Sequence, residues 1–146
     1  MTSATHPGDN HVPIHFARWA LAQATGGETI RFDASLDGDT ITVDPTLEAW
    51  KWVTIEGPTT RGITISGGGK VRVINLHEGG WLWNVTITND YHPVFAGGLW
   101  TPWAVELKNS TVSNNRAPYA GGMYVNTASL LNSTVAGNTA EYLASA

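Results

Sequence analysis

Cysteine is absent from this chain of 146 residues, so neither a disulfide framework nor a thiolate metal site can form. Charge is scarce: 14% of the residues are Asp, Glu, Lys or Arg, against about 25% in an ordinary soluble domain. Eight Lys and Arg stand against twelve Asp and Glu, the formal net charge is -4, and the basic residues form no cluster. Nucleic acid or an anionic lipid surface recognised through charge is therefore not an expected partner. No apolar run approaches the roughly 18 residues of a membrane span. The opening, MTSATHPGDNHVP, has neither the basic nor the apolar region of a secretory signal, so the chain is expected to be cytoplasmic or to begin after a removed signal.

What remains is a chain with 42% apolar residues whose surface must be covered by Thr, Ser, Asn and Gly, a composition that favours strands and turns over helices. The length suits one domain with its own core.

Internal repetition organises that composition. LKNSTVSNNRA at 107–117 returns as LLNSTVAGNTA at 130–140. Stepping back from Thr134-Val135, equivalent Thr-[Val/Ile] pairs lie at Thr111-Val112, Thr86-Ile87, Thr64-Ile65 and Thr42-Val43, at intervals of 23, 25, 22 and 22 residues. Leu130, Leu107 and Leu82 sit five before the last three anchors, and Asn132, Asn109 and Asn84 sit three before them. Val or Ile with the residue two before it would share one inward face, and the intervening Thr would point out. Short β runs at Thr29–Phe32, Val53–Ile55, Val71–Leu76 and Met123–Val125 fill the intervals.

Several short strands per 22 to 25 residues, punctuated by Gly and Asn, describe coils of a parallel β-solenoid. Five coils at about 4.8 Å each would give a stub of roughly 24 Å. The expectation is all-β: a right-handed parallel β-helix of about five coils with an N-terminal capping helix. Residues 1–12 are read as a flexible N-terminal segment, 13–28 as the capping helix and its turn, and 29–146 as the β-helix, truncated at its C-terminus. Phe16, Trp19, Ala20 and Gln23 would share the face of that helix that covers the first coil, and Gly26-Gly27 would end it.

NSTVSNN followed by AGGMYVN, then NSTVAGNTA, resemble the rhythm of bacterial right-handed parallel β-helix surface proteins with polymorphic outer membrane protein type repeats. The opening is similar to theirs as well: Ala17–Leu21 within a short helix, then Gly27–Phe32, Asp39–Thr42 and Ile55–Pro58. The resemblance covers roughly residues 16 to 140. It implies an extracellular or cell-surface domain that serves display and adhesion, or binds a glycan or a surface protein. The alternative it leaves is a fragment of a β-helix polysaccharide lyase or glycoside hydrolase.

Candidate sites follow from the positions the repeat does not explain. Asn84, Asn109 and Asn132 all satisfy the glycosylation sequon, yet they recur with Thr86, Thr111 and Thr134 at the coil period and are read as structural repeat positions. Seven tryptophans are many for such a chain. With Leu82 inward, Trp81 and Trp83 point out; Trp50 and Trp52 are expected on one strand face in the same way. The segment YHPVFAGGLWTPW, 91–103, accompanies the longest interval and is read as an inserted binding loop. Trp81, Trp83, Tyr91, His92, Trp100 and Trp103 are thus the expected ligand-binding residues, since indoles offer flat apolar faces with an N–H to donate.

No catalytic residue, metal ligand or cofactor is expected. Lys70 and Arg72, with Asp90 and His92 one coil on, are read as solvated side chains, and adjacent acidic pairs are missing. His11 and His15 have a metal-like spacing interrupted by Pro13. The C-terminal end shows no cap, which raises self-association through its open edge.

Overall fold

The structure is a computed structural model that describes residues 2, 3 and 13–142. Every strand pair in it is parallel, and the strands form three faces wound as about five coils of a β-solenoid. The first face stacks Thr29–Arg31, Val53–Glu56, Gly80–Trp83, Ala104–Lys108 and Thr127–Leu131. The second stacks Thr40–Thr42, Ile63–Ser66, Val85–Thr88, Thr111–Ser113 and Thr134–Ala136. The third stacks Leu47–Ala49, Ile74–Leu76, Leu99–Trp100 and Met123–Tyr124.

Equivalent residues lie on one another as the repeat requires. Leu82, Leu107 and Leu130 are in register, as are Ile87, Val112 and Val135. Ile30, Ile55, Leu82, Leu107, Ile41, Ile65, Ile87 and Val112 are buried, so the core is a set of aliphatic columns along the axis. Each fully buried Leu or Ile contributes about 1.5–3 kcal/mol relative to exposure.

The oldest anchor is displaced by two residues. Ile65 pairs with Ile41 and Thr64 with Thr40, not with Val43 and Thr42. A slip of two preserves the inward and outward parity, so hydrophobic alternation does not distinguish the two registers. Backbone bonds do: Gly38 donates to the Gly62 carbonyl and Thr64 to the Asp39 carbonyl, which sets the entry of the first coil.

The Asn-Ser-Thr-Val phrase has one structural task per residue. Asn84, Asn109 and Asn132 adopt left-handed φ of 58°, 49° and 48° and turn the chain between the first and second faces. Their side chains form a ladder: Asn132 Nδ2 donates to Asn109 Oδ1 at 2.8 Å, Asn109 Nδ2 to Asn84 Oδ1 at 3.3 Å, and Asn84 Nδ2 to the Gly57 carbonyl at 3.2 Å. The Ser110 hydroxyl shares its single proton between the Leu82 and Lys108 carbonyls, 3.0 and 2.8 Å away, and accepts from the Val85 amide. Thr111 then faces outward and Val112 fills the core.

The capping helix runs Pro13–Gln23. Phe16, Ala17, Ala20 and Leu21 are the residues it buries, whereas Trp19 and Gln23 are exposed. The covering face is thus rotated from the expected one toward the small and aliphatic side chains that fit closest to the first coil. Of residues 1–12, only Thr2–Ser3 is described, and its backbone pairs in parallel with Ile30 and Arg31. The rest of the expected flexible segment, with His11, lies outside the described residues, as do residues 143–146.

Candidate functional site: a tryptophan corner

Six of the seven tryptophans gather around the corner where the third face turns into the first. Three successive coils supply them. Trp50 and Trp52 are not on one strand: they flank Lys51 in the turn between Leu47–Ala49 and Val53–Glu56, so they diverge to opposite sides of the corner. Trp81 and Trp83 point outward from the first face, with Leu82 buried between them. Trp100 ends a third-face strand, and Trp103 precedes the next first-face strand.

The rings form two chains. On the third-face side, Trp50 stacks on His77 at 3.9 Å with planes 11° apart, and His77 meets Trp100 edge-on at 5.5 Å. On the first-face side, Trp52 meets Trp81 edge-on at 4.7 Å, Trp81 stacks on Trp83 at 5.5 Å, and Lys108 Nζ lies 5.2 Å from the Trp83 ring centroid. The Lys51–Glu78 ion pair, 3.2 Å, bridges two coils at the turn between these chains. Trp50 and Trp103 remain 59% and 58% exposed, which marks them as the open indoles of the set.

Polar groups around the rings are already held. Glu48 accepts from Asn75 at 2.9 Å and contacts His77 Nε2 at 2.7 Å, which fixes the imidazole under Trp50. Glu106 accepts from Trp83 Nε1 at 3.3 Å. The corner therefore presents preset aromatic surface, with each of its carboxylates engaged. Among the described residues no three His, Asp or Glu side chains gather as a metal site, and no helix is long and apolar enough to cross a membrane.

The expected binding residues divide between two places. Trp81, Trp83, Trp100 and Trp103 belong to the corner; Tyr91 and His92 lie at the turn between the second and third faces. Tyr91 packs against Arg116 at 5.1 Å, and His92 Nδ1 accepts from the Val94 and Phe95 amides, which holds the turn. Trp50, Trp52 and His77 complete the corner and were not among the expected residues. The signal for the two indoles was the Trp-x-Trp spacing, which recurs at Trp81 and Trp83; His77 carried none in the sequence.

Residues 91–103 do not leave the solenoid as an inserted loop. Tyr91 and Phe95 bridge in parallel to Arg116 and Tyr119, and Gly97 and Gly98 donate to the Gly121 and Gly122 carbonyls. The next coil copies the excursion, so it is a wider coil instead of a projection. On its outside, Phe95, Tyr119, Tyr124 and Tyr142 extend the aromatic surface along the third-face side.

Arg72 and Asp90 are buried, contrary to the solvated reading. The Arg72 guanidinium donates to the Phe95 and Ala96 carbonyls and to Asn75 Oδ1. Asp90 is 3% exposed, and neither carboxyl oxygen has a hydrogen-bond partner among the described residues. Burial pushes its carboxyl up to about 8, opposed by the Val73 amide, which lies near it outside hydrogen-bond geometry, and by Arg72. Burial and Arg72 also push the neighbouring His92 down. The spacing of Arg72 carried no information on its burial, because the wide third coil that covers it is distant in sequence; Lys70 is exposed, as expected.

A groove of about 380 Å³, lined by Arg31, Phe32, Asp37, Glu56, Pro58 and Thr60 among others, lies at a different corner, between the first and second faces. Its charges pair with one another or with neighbours: Arg31 with Glu56, and Asp37 with Arg61. The aromatic corner, not this groove, is the stronger candidate because its apolar surface is already exposed.

The chain matches no family model, no curated protein and no solved structure. What fold and site define is the class: a parallel β-solenoid with an aromatic corner.

Proposed function

We propose that this chain is a non-catalytic binding domain of a secreted or cell-surface protein, and that its tryptophan corner holds a carbohydrate chain. The observation that carries the reading is the convergence of Trp50, His77 and Trp100 from three successive coils into one run of rings. Sugar rings offer weakly polar C–H faces that lie on indoles, while Trp N–H groups reach hydroxyls at the edge. Coil spacing of about 4.8 Å places such surfaces in line along the axis, which suits an extended chain more than a compact ligand.

Display and adhesion are the work such a domain would do, and the similarity of NSTVSNN and NSTVAGNTA to bacterial β-helix surface repeats supports that setting. Titration of neutral and acidic oligosaccharides, read by Trp fluorescence and calorimetry, tests the proposal. Saturable binding, weakened about tenfold in Trp50→Ala and weakened likewise in Trp103→Ala, is the expected result. No binding to any glycan, or binding untouched by both substitutions, would refute it.

A further inference from the structure

Glu48, Asn75 and Trp100 stand in register on three successive coils of the third face. Their strand neighbours Leu47, Ala49, Ile74, Leu76 and Leu99 are buried, so alternation turns these three outward. Asn75 lies between the other two, half-buried, and its amide is engaged at both ends. Its Oδ1 accepts from Arg72 Nη1 at 2.7 Å, and its Nδ2 donates to Glu48 Oε1 at 2.9 Å. The second Glu48 oxygen meets His77 Nε2 at 2.7 Å, and His77 lies flat against Trp50 and edge-on to Trp100.

The order of donors and acceptors along this chain is forced. A guanidinium only donates and an ionised carboxylate only accepts, whereas an amide does one at each end. Arg72 therefore fixes which way the Asn75 amide faces. The amide in turn engages one oxygen of Glu48 and leaves the other for His77.

The origin of the chain is rigid. Arg72 is buried, and its Nε and Nη2 donate to the Ala96 and Phe95 carbonyls. Those carbonyls open the segment that delivers Trp100 at the end of Leu99–Trp100. One buried cation thus holds the rings from two directions, through side chains toward Trp50 and through backbone toward Trp100.

We propose that Asn75 is the positioning residue of the tryptophan corner: it transmits the fixed placement of Arg72 through Glu48 to His77, and so sets Trp50 relative to Trp100. Trp50 follows its strand in a turn and is 59% exposed, so the stacked imidazole restrains an indole that solvent would leave free to change rotamer. An indole held before binding gives up less conformational freedom when a ligand arrives. That benefit to a ligand rests on the carbohydrate reading above; the effect on the rings does not.

Asn75→Asp is the informative variant. It keeps the shape of the side chain and its contact with Arg72 but replaces the donor to Glu48 with an oxygen, setting two carboxylates against each other. Nuclear magnetic resonance reads the result, because the Trp50 ring current displaces the signals of the carbon-bound His77 protons, and Trp50→Ala identifies that displacement by removing it. The displacement should be largely lost in Asn75→Asp and in Asn75→Ala, with circular dichroism unchanged. Glu48→Gln, which still accepts from Asn75 and can donate to His77, should retain it.

For an oligosaccharide that binds the parent, Asn75→Asp should weaken affinity roughly three- to fivefold. Most of that loss should disappear when the same change is made on Trp50→Ala. Displacement kept in both Asn75 variants overturns the proposal, because His77 would then be held by other groups. So does displacement lost with affinity unaltered, or a loss of affinity undiminished on Trp50→Ala. A parent that binds no oligosaccharide refutes the carbohydrate reading alone, and the His77 signals still decide the role of Asn75.

Discussion

Asp90 occupies the corner position that Asn115 occupies one coil later, since Thr88 pairs with Ser113 and Tyr91 with Arg116. Asn115 Nδ2 donates to the Ile87 carbonyl at 3.2 Å, and Asn138 one coil further donates to the Val112 carbonyl at 2.9 Å. The repeat thus calls for an amide at this corner, and Asp90 can supply a donor only as the neutral acid. Gly67 and Gly97 leave the room it fills: a Cβ on them would approach Asp90 Cβ to 2.5 Å and Asp90 Oδ1 to 2.7 Å.

The pH dependence of stability follows from that placement. Because burial raises the folded-state value from 3.8 to about 8, the fold favours the protonated form. Its contribution is whole below the unfolded value and is lost as pH rises through about 8. The decline between those limits is up to about 1.4 kcal/mol per pH unit from this group. Arg72 opposes the shift, Glu48 acts on Arg72, and His92 stands nearby with its own value depressed. Asp90→Asn should flatten the decline and stabilise the protein at alkaline pH by about 1–3 kcal/mol. Urea unfolding at acid, neutral and alkaline pH provides the comparison; equal slopes for both proteins would contradict the expectation.

The asparagine ladder should be separable from the turn it occupies. Asn109→Ala loses the amide bonds and also forces Ala into a φ of 49°, for a cost of about 2 kcal/mol. Asn109→Gly keeps the turn and loses only the ladder, so its cost should be nearer 1 kcal/mol. Chemical denaturation of both variants measures the difference; identical losses would mean that backbone conformation contributes nothing there.

Gly80 is an inward position where a side chain has no space. A Cβ would stand 2.4 Å from the Val53 carbonyl oxygen, a backbone atom of the preceding coil. Gly80→Ala should therefore destabilise by about 2–3 kcal/mol through displaced coils. A melting temperature within experimental error of the parent would show that the coils part without cost.

For the aromatic corner, Trp50→Ala should weaken glycan binding about tenfold while leaving stability nearly unchanged, because the indole is mostly exposed. His77→Ala should weaken it less and alter Trp50 emission, since the imidazole lies under that ring. Paired titrations and emission spectra check both, and loss of stability in place of binding would reassign Trp50 to the scaffold.

The chain's own sequence determined the coil. Its period, its Leu, Ile and Val columns, its Asn corners and the outward indoles at Trp81 and Trp83 follow from alternation and turn chemistry, which are local and repeat every 22 to 25 residues. Tertiary structure alone decided three further matters: the two-residue phase of the first coil, the burial of Arg72 and Asp90, and the meeting of Trp50, His77 and Trp100. Each depends on which residues of successive coils lie side by side. A two-residue slip leaves every side chain on its own face, so only the stacked backbone bonds could choose between registers.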